Sequence, residues 1–293
     1  MKTVEQSLRD ATEELRSKGI DSPRLYAELL LGFLLKLDRV KLLVAAARTL
    51  SSDEESAFRA LVGRRLQYEP VAYLTGEREF YGLSFLVDRR VLVPRPDSEI
   101  LVETALRRTG RFPAPLRVLD LCTGSGCVAI AIAKTRRDAL VSATDIDLGA
   151  LELATKNAER LEAKNVTFLQ GDLFAAAPPG ETFDLITANP PYIPNADQEG
   201  LQPDVRDHEP ALALFSGESG LEFYERIAKE ARPYLRREGV IAVEVGMGQA
   251  DAVEAMFYSH GAHNIERTRD LQGIERVVSA QFAPQFAEAP RKA

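Results

Sequence analysis

The sequence predicts an α/β fold: a mostly parallel sheet covered on both faces, with a small N-terminal helical bundle joined to it by a β-hairpin. Three observations predict it. From about residue 97 onward, apolar runs of strand length alternate with segments of helical period, the pattern of a parallel sheet. Up to residue 78 apolar stripes such as Val4, Leu8, Ala11 and Leu15 recur at spacings of three and four, which is helical. Between the two lies "EFYGLSFLVDRRVLV" (79–93), where aromatic and β-branched residues surround a "DRR" turn; this reads as a hairpin. The expected organisation is a helical domain at 1–78, a hairpin linker at 79–95 and the α/β domain at 96–293.

The elements follow in order. Val4, Leu8, Ala11 and Leu15 share one helix face, and Gly19 is a stop. Ser22-Pro23 starts the next helix with a capping hydroxyl and a proline whose missing N–H is not needed there. Leu25, Leu29 and Phe33 form its stripe. Ser52 and Glu55 have the spacing of a capping box. After "PRPDSE" comes an apolar-periodic helix at about 97–108. Strands are expected at 116–121, 140–144, 166–169, 183–188 and 239–245, and helices at 126–136, 149–162, 219–236 and 249–259. "IERVVSAQF" reads as a further strand, and the polar tail after it is expected to fray.

Composition narrows the function. A net charge of −7 and a pI near 5.3 argue against non-specific coating of nucleic acid, which needs an excess of Lys and Arg. The bundle is near neutral, so the acidity lies beyond it. Cys122 and Cys127 are too few for a disulfide scaffold and read as free intracellular thiols. The three histidines, His208, His260 and His263, sit in no ligand pattern, so no metal is expected. "MKTVEQSLRDATEELRSKG" has no apolar core or cleavage signal, and no apolar run reaches the ~18 residues of a membrane span. A cytoplasmic protein is expected.

"RVLDLCTGSGCVAIAIA" is a strand, a glycine turn and a helix. Gly124 and Gly126 permit a tight turn and close approach of a ligand, and the helix that follows presents free N–H groups. Such a turn suits a dinucleotide or the amino-acid and ribose part of S-adenosylmethionine, since Gly124, Gly126 and Ala129 also satisfy the relaxed dinucleotide fingerprint. A bare strand-to-helix turn is the plain alternative. Asp145 ends the second strand, 19 residues after Gly126, where a carboxylate can accept both hydroxyls of a ribose. Asp147 reads better as a helix cap. Asp172 in "LQGDLF" could accept from the exocyclic amine of adenine, with Leu173 covering the ring, or it could be a turn aspartate.

The fourth strand ends in Asn189-Pro190-Pro191-Tyr192. Ligands of open α/β sheets bind beyond the carboxyl ends of the strands. Pro190 keeps Asn189 out of helical geometry, and both prolines hold their own φ. The loop lacks two donors and keeps its carbonyl acceptors, to which Asn189 adds a side-chain oxygen. It therefore offers acceptors to a planar –NH₂, either a carboxamide or an exocyclic base amine. Accepting both hydrogens favours attack by that weak nucleophile, with no titratable base, and placement against a methyl donor supplies the rest. Tyr192 could pack over the flat group.

"VLDLCTGSG", "ATDID", "GDLF" and "NPPY", in this order, resemble a class I S-adenosylmethionine-dependent methyltransferase of the amino-group type, with a Rossmann-like sheet. "EPVAYLTGEREFYGLSFLVDRRVLVPRPDSEILVE", "DHEPALALFSGESGLEFYERI", "EVGMGQ" and "DLQGIERVV" further resemble the bacterial release factor glutamine methyltransferases (the PrmC or HemK family), over roughly residues 65 to 280. The resemblance implies methylation of the glutamine amide nitrogen in the Gly-Gly-Gln motif of class I peptide chain release factors. It implies S-adenosylmethionine as cofactor, held by Cys122, Thr123, Gly124, Ser125, Gly126, Asp145, Asp172, Leu173 and Asn189. Asn189, Pro190 and Tyr192 would be catalytic and, with Pro191, hold the substrate amide, while the N-terminal helices help hold the release factor. No direct nucleic-acid or membrane partner is expected, and the chain is expected to be a monomer.

Two positions depart from the family. Cys122 stands where many relatives have glycine, so ordinary backbone geometry is expected there, since a cysteine takes positive φ only at a cost. Leu173 replaces an aromatic found in some members. "PRPDSE" follows the release factor group, with Pro96 after Arg95 where the ribosomal-protein enzymes carry serine. The competing readings are a nucleic-acid amino methyltransferase, which should carry a basic groove and a flipping pocket, and a non-catalytic adenosine-binding module, which leaves the proline loop without a purpose.

Overall fold

The computed structural model describes residues 1–282, so the expected fraying of the tail falls outside the described residues. The chain forms two compact units: Met1–Glu77 together with Leu201–Glu209, and Arg78–Gly200 together with the chain from Pro210 onward.

The first unit is helical: Val4–Ser17, Pro23–Leu35, Arg39–Val44, Ser52–Arg65 and Val71–Thr75, joined by Pro203–His208. Its core includes Val4, Leu8, Ala11 and Leu15, as their spacing requires, with Phe58 and Val62. Arg65 is almost fully buried. It donates to the carbonyls of Tyr68 and Glu69, lies over the Tyr26 ring and reaches Asp204 at 3.5 Å. His208 Nε2 lies 2.9 Å from the Gln67 carbonyl, so this late segment is held by the helical unit.

Three local expectations need correction here. Ser22 precedes Pro23 with φ at +50° and makes no side-chain cap, because a cap needs extended backbone at that residue. The capping box is Ser51 with Glu54, one position earlier than expected. Two serines followed by two glutamates allow either register, and Glu55 instead accepts from Ser7 Oγ at 2.6 Å. In the second helix Ala27, Leu30 and Leu31 are the buried stripe, while Leu29 and Phe33 are 39% and 50% exposed. "LLLGFLL" is apolar around much of its circumference, so spacing alone does not select a face.

The hairpin is also displaced. β1 (Glu77–Phe80) and β2 (Leu83–Leu86) are joined by Tyr81-Gly82, with φ of +52° and +70°. A two-residue hairpin of this kind needs positive φ at both positions. Gly82 takes it freely, and Tyr81 is held there by its N–H to Glu99 Oε1 at 2.8 Å. "DRR" forms a separate turn after the hairpin, closed by Asp88 on Arg90.

The second unit carries a seven-stranded sheet: β3 (Arg117–Leu121), β4 (Leu140–Asp145), β5 (Val166–Gln170), β6 (Phe183–Ala188), β7 (Leu235–Glu244), β8 (Ala262–Arg269) and β9 (Glu275–Phe282). Their order is β5-β4-β3-β6-β7-β9-β8, parallel except for the pairings of β9. Val118, Leu185, Val240 and Ala242 enter one core; Leu119, Ile186, Ile241 and Val243 enter the other. Period-two alternation thus sends neighbours to opposite faces, and covering both faces explains why these strands are apolar throughout. The helix expected at 219–236 is only Glu222–Glu230; Pro233, which lacks an N–H, lies in the short turn before β7. β8 was not expected. It is a charged edge strand with half of its residues exposed and only Ala262 buried, so it carries little apolar signal.

The chain builds outward from β3 to β5 and returns to β6 on the other side of β3. That reversal makes β3 and β6 a topological switch point. Leu121 of β3 sits beside both Thr144 of β4 and Ala188 of β6. The glycine turn, Asp145 and Asn189 therefore emerge side by side.

Candidate active site

A cavity of about 250 Å³ opens at this switch point. Cys122, Thr123, Gly124, Ser125, Asp145, Asp172, Leu173, Asn189 and Pro191 all line it. Pro190 and Tyr192 are not among its lining residues. Tyr192 lies against the core behind the loop, its carbonyl accepts from Gln249 Nε2 at 2.9 Å, and burial pushes its hydroxyl up to about 12.

The glycine turn is built from left-handed residues: Cys122, Gly124 and Gly126 have φ of +56°, +53° and +80°. The expected ordinary geometry at Cys122 is therefore wrong. The turn needs its left-handed bend at this residue whatever the side chain. The cost of ~1–2 kcal/mol for a non-glycine is offset by the anchoring around it. Thr123 N–H donates to the Thr144 carbonyl at 3.0 Å and Gly124 N–H to Asp145 Oδ2 at 2.8 Å. A Cβ on Gly124 would meet no atom within 4 Å, so packing does not require glycine there; positive φ on a cavity wall does. At Gly126 a Cβ would press on Ile130 and Ala154 at 3.1 and 3.2 Å. Burial raises the thiols of Cys122 and Cys127, the latter to about 12, which favours their protonated form.

Asp145 accepts from Gly124 N–H through Oδ2 and from Asp147 N–H through Oδ1. Each carboxylate oxygen retains a further acceptor site, which suits a pair of ribose hydroxyls. Burial raises its pKa and the two backbone donors oppose the shift. Asp147 caps the helix Leu148–Arg160 by accepting from Ala150 N–H at 2.8 Å. Asp172 is exposed on the rim and pairs with Arg226 at 2.8 Å. Leu173 is buried, with φ at +48°.

Three polar residues that sequence reasoning missed hold this site. Asp120, buried at the end of β3, accepts from Thr123 Oγ1 at 2.7 Å and Thr187 Oγ1 at 2.6 Å. Burial lifts it to about 6 against the pull of those hydroxyls, and it ties the glycine turn to β6. Ser98 Oγ accepts from Asn189 Nδ2 at 3.1 Å. Glu244, at the end of β7, is buried beside them. "LDL", "PDSE" and "VEVG" show an acid or hydroxyl at a strand or helix end, but nothing in them says which partner it meets. Pro210, Leu212 and Phe223 complete the apolar wall.

The donor set fits S-adenosylmethionine: backbone N–H groups at a helix start, a carboxylate with free acceptor sites on the adjacent strand, and apolar residues beyond it. Among the described residues no group of His, Cys, Asp and Glu is placed to hold a metal ion, and no helix is long and apolar enough to cross a membrane.

Known proteins resemble this chain. The PrmC N-terminal domain family matches residues 6–76, and the methyltransferase small domain family matches 96–202. The release factor glutamine methyltransferase of Geobacter sulfurreducens is 46% identical over 269 residues, covering 92% of this chain and 93% of its own. The one of Koribacter versatilis is 40% identical over 276 residues, covering 94% and 97%. A methyltransferase structure from Pyrococcus furiosus, 19% identical, aligns with a TM-score of 0.54 over 75% of this chain and 98% of that one; it bears on the fold alone. A left-handed glycine turn, an acid at the end of the adjacent strand and a proline-stiffened asparagine at one switch point, in a chain with these relatives over nearly its whole length, lead to one conclusion: the chain belongs to the release factor glutamine methyltransferase family.

Proposed function

We propose that this protein transfers a methyl group from S-adenosylmethionine to the side-chain amide nitrogen of the glutamine in the Gly-Gly-Gln motif of class I peptide chain release factors. The observation that carries the reading is Asn189 on the cavity wall, at the end of β6, one strand from the cofactor turn. Its Nδ2 is engaged by Ser98, which leaves Oδ1 as an acceptor.

When bound, S-adenosylmethionine supplies an electrophilic methyl on a sulfonium. Asp145 and the N–H groups of the glycine turn would hold and orient it. Asn189 Oδ1 and the carbonyls of the proline loop accept the hydrogens of the substrate –NH₂. That amide's lone pair is delocalised, so acceptors already in place favour the form in which nitrogen gains positive charge. One proton passes from the nitrogen to solvent water after transfer, and no ionised base at the cavity is needed to start the step. Pro190 and Pro191 act by removing N–H groups that would compete for the same acceptors. Tyr192 acts by anchoring the loop from behind. The helical unit would bind the release factor outside the motif. We further propose a cytoplasmic monomer with no direct nucleic-acid partner.

The test is incubation with labelled S-adenosylmethionine and, separately, release factor, ribosomal protein and DNA. Label on the release factor glutamine is expected. Label on DNA alone would overturn the reading in favour of a base-modifying enzyme. Light scattering of the purified chain checks the monomer.

A further inference from the structure

Glu244 is a buried acid that the reaction as described does not use. It is 3% exposed and its Oε2 has no hydrogen-bond partner. A carboxyl kept in such a place costs free energy. Its polar neighbours include the side chains of Ser98 and Asn189, both of which favour its ionised form. The Tyr224 hydroxyl donates to the Glu244 carbonyl at 2.9 Å and fixes the backbone beneath it.

The three side chains form a chain with one consistent direction. Asn189 Nδ2 donates to Ser98 Oγ. A serine hydroxyl has one proton, so Ser98 directs that proton to an acceptor other than Asn189. The Glu244 carboxylate, buried beside it and short of partners, is the group that would take that proton. An amide can be turned end for end with little change of shape, so its direction is decided by its partners. An ionised Glu244 can only accept. Ser98 then shows Asn189 only lone pairs, Nδ2 must face Ser98, and Oδ1 faces the cavity.

We propose that Glu244 is a positioning residue for the methyl transfer, which sets through Ser98 the direction that the Asn189 amide presents to the substrate. This rests on the reading that Asn189 accepts from the substrate –NH₂. Protonation reverses the chain: the acid donates to Ser98, Ser98 turns its proton to Asn189, and the amide gains by facing Oδ1 inward and its N–H groups to the cavity. Two donors would then confront a substrate that is itself a donor. Burial lifts the Glu244 carboxyl to about 7, opposed by Ser98, Arg276 and Asn189 and reinforced by Asp97. Tyr192, Tyr224 and Cys127 also face it, all raised and therefore neutral. Arg276 is held by Asp97 and Asp270. Glu244 is thus the group of this cluster whose charge changes near neutrality, and the active form is the ionised one.

The experiment compares wild type, Glu244→Gln and Ser98→Ala on release factor, with cofactor affinity measured alongside. The wild-type kcat is expected to rise with pH through about 7. Glu244→Gln is expected to lose that rise and about tenfold in kcat, the size of one buried hydrogen bond, with KM and cofactor affinity little changed. Ser98→Ala should do the same, and the double variant should lose no more than either alone. Multiplying losses, or a Glu244→Gln enzyme with the wild-type pH profile, would overturn the proposal. A substrate-free readout separates it from the functional reading: the infrared carboxyl band of a protonated Glu244 should titrate through about 7, vanish in Glu244→Gln and shift in Ser98→Ala. A band that does not titrate or does not respond to Ser98 overturns the role of Glu244, whereas absence of label on release factor by the unaltered protein overturns the proposed substrate.

Discussion

The two loops at the switch point are held in different ways. The cofactor turn is held close to home. Its N–H groups reach the end of the adjacent β4 at Thr144 and Asp145, and the turn itself is made by backbone in the left-handed region. The substrate loop is stiff in its backbone because of two prolines, but its working side chain takes direction from Ser98, 91 residues earlier, and through it from Glu244. One site needs a shape, which neighbouring strands supply. The other needs a polarity, and only side chains from distant parts of the chain can set it. The cofactor turn should therefore tolerate side-chain changes that keep its backbone, while the substrate loop should not.

The largest test of that contrast is Asn189→Ala. It should lower kcat by about 10²–10³-fold, as removal of a preorganised polar group does, while calorimetric cofactor affinity survives. Equal loss of both would erase the distinction between the loops. Asp145→Ala should act on the other side. It removes an acceptor from Gly124 N–H as well as from the ribose, so cofactor binding should weaken by ~10–100-fold; unchanged affinity would refute its role. Thr187→Val keeps the shape of β6 but leaves Asp120 short of a donor. Denaturant unfolding should show a loss of ~1–3 kcal/mol. Cys122→Gly should be the mildest. Relief of ~1–2 kcal/mol of left-handed strain opposes the ~0.5–1 kcal/mol that glycine costs through its freer unfolded chain. A stability change within about 1 kcal/mol and an unaltered kcat are expected; a large loss would mean that the side chain, not the backbone, shapes the turn.

Glu244 links activity to stability with opposite signs. Its folded-state value is raised from about 4.5 to about 7, so folding favours the protonated form. Its stabilising contribution is full below about 4.5 and is lost as pH rises through about 7. Over the same range the transfer rate should climb. The thermal midpoint of the wild type should therefore fall relative to Glu244→Gln across that window, and parallel curves would remove the linkage.

Much of the sheet was legible because burial on both faces writes continuous apolar runs into strands such as Phe183–Ala188. Short-range signals did less well where two answers had equal chemistry. Ser51-Ser52 allowed two caps, "LLLGFLL" allowed two faces, and the turn at Tyr81-Gly82 was hidden because a tyrosine is held in a glycine-like conformation by Glu99. β8 was silent because an exposed edge strand needs no apolar pattern. The places of Gly124, Asp145 and Asn189 on the cavity and of Gly126 in the turn behind it were readable, since each is required by its own backbone or by the strand it ends. Asp120, Ser98 and Glu244 were not, because an acid or hydroxyl at the end of an element looks the same whether it is solvated or meets a partner.

The sequence by itself determined that strands and helices alternate, that the chain turns on glycines after β3, and that an asparagine stands rigid after β6. These follow from local sterics and from the periodicity of burial, both of which act between near neighbours. The tertiary structure decided that the late segment Leu201–Glu209 joins the helical unit. It also decided that Cys122 bends like a glycine, and which way Asn189 faces. Each of those depends on contacts closed across many residues. A hydrogen bond has a direction only when both ends are in place, and it is folding that brings Ser98 and Glu244 to Asn189.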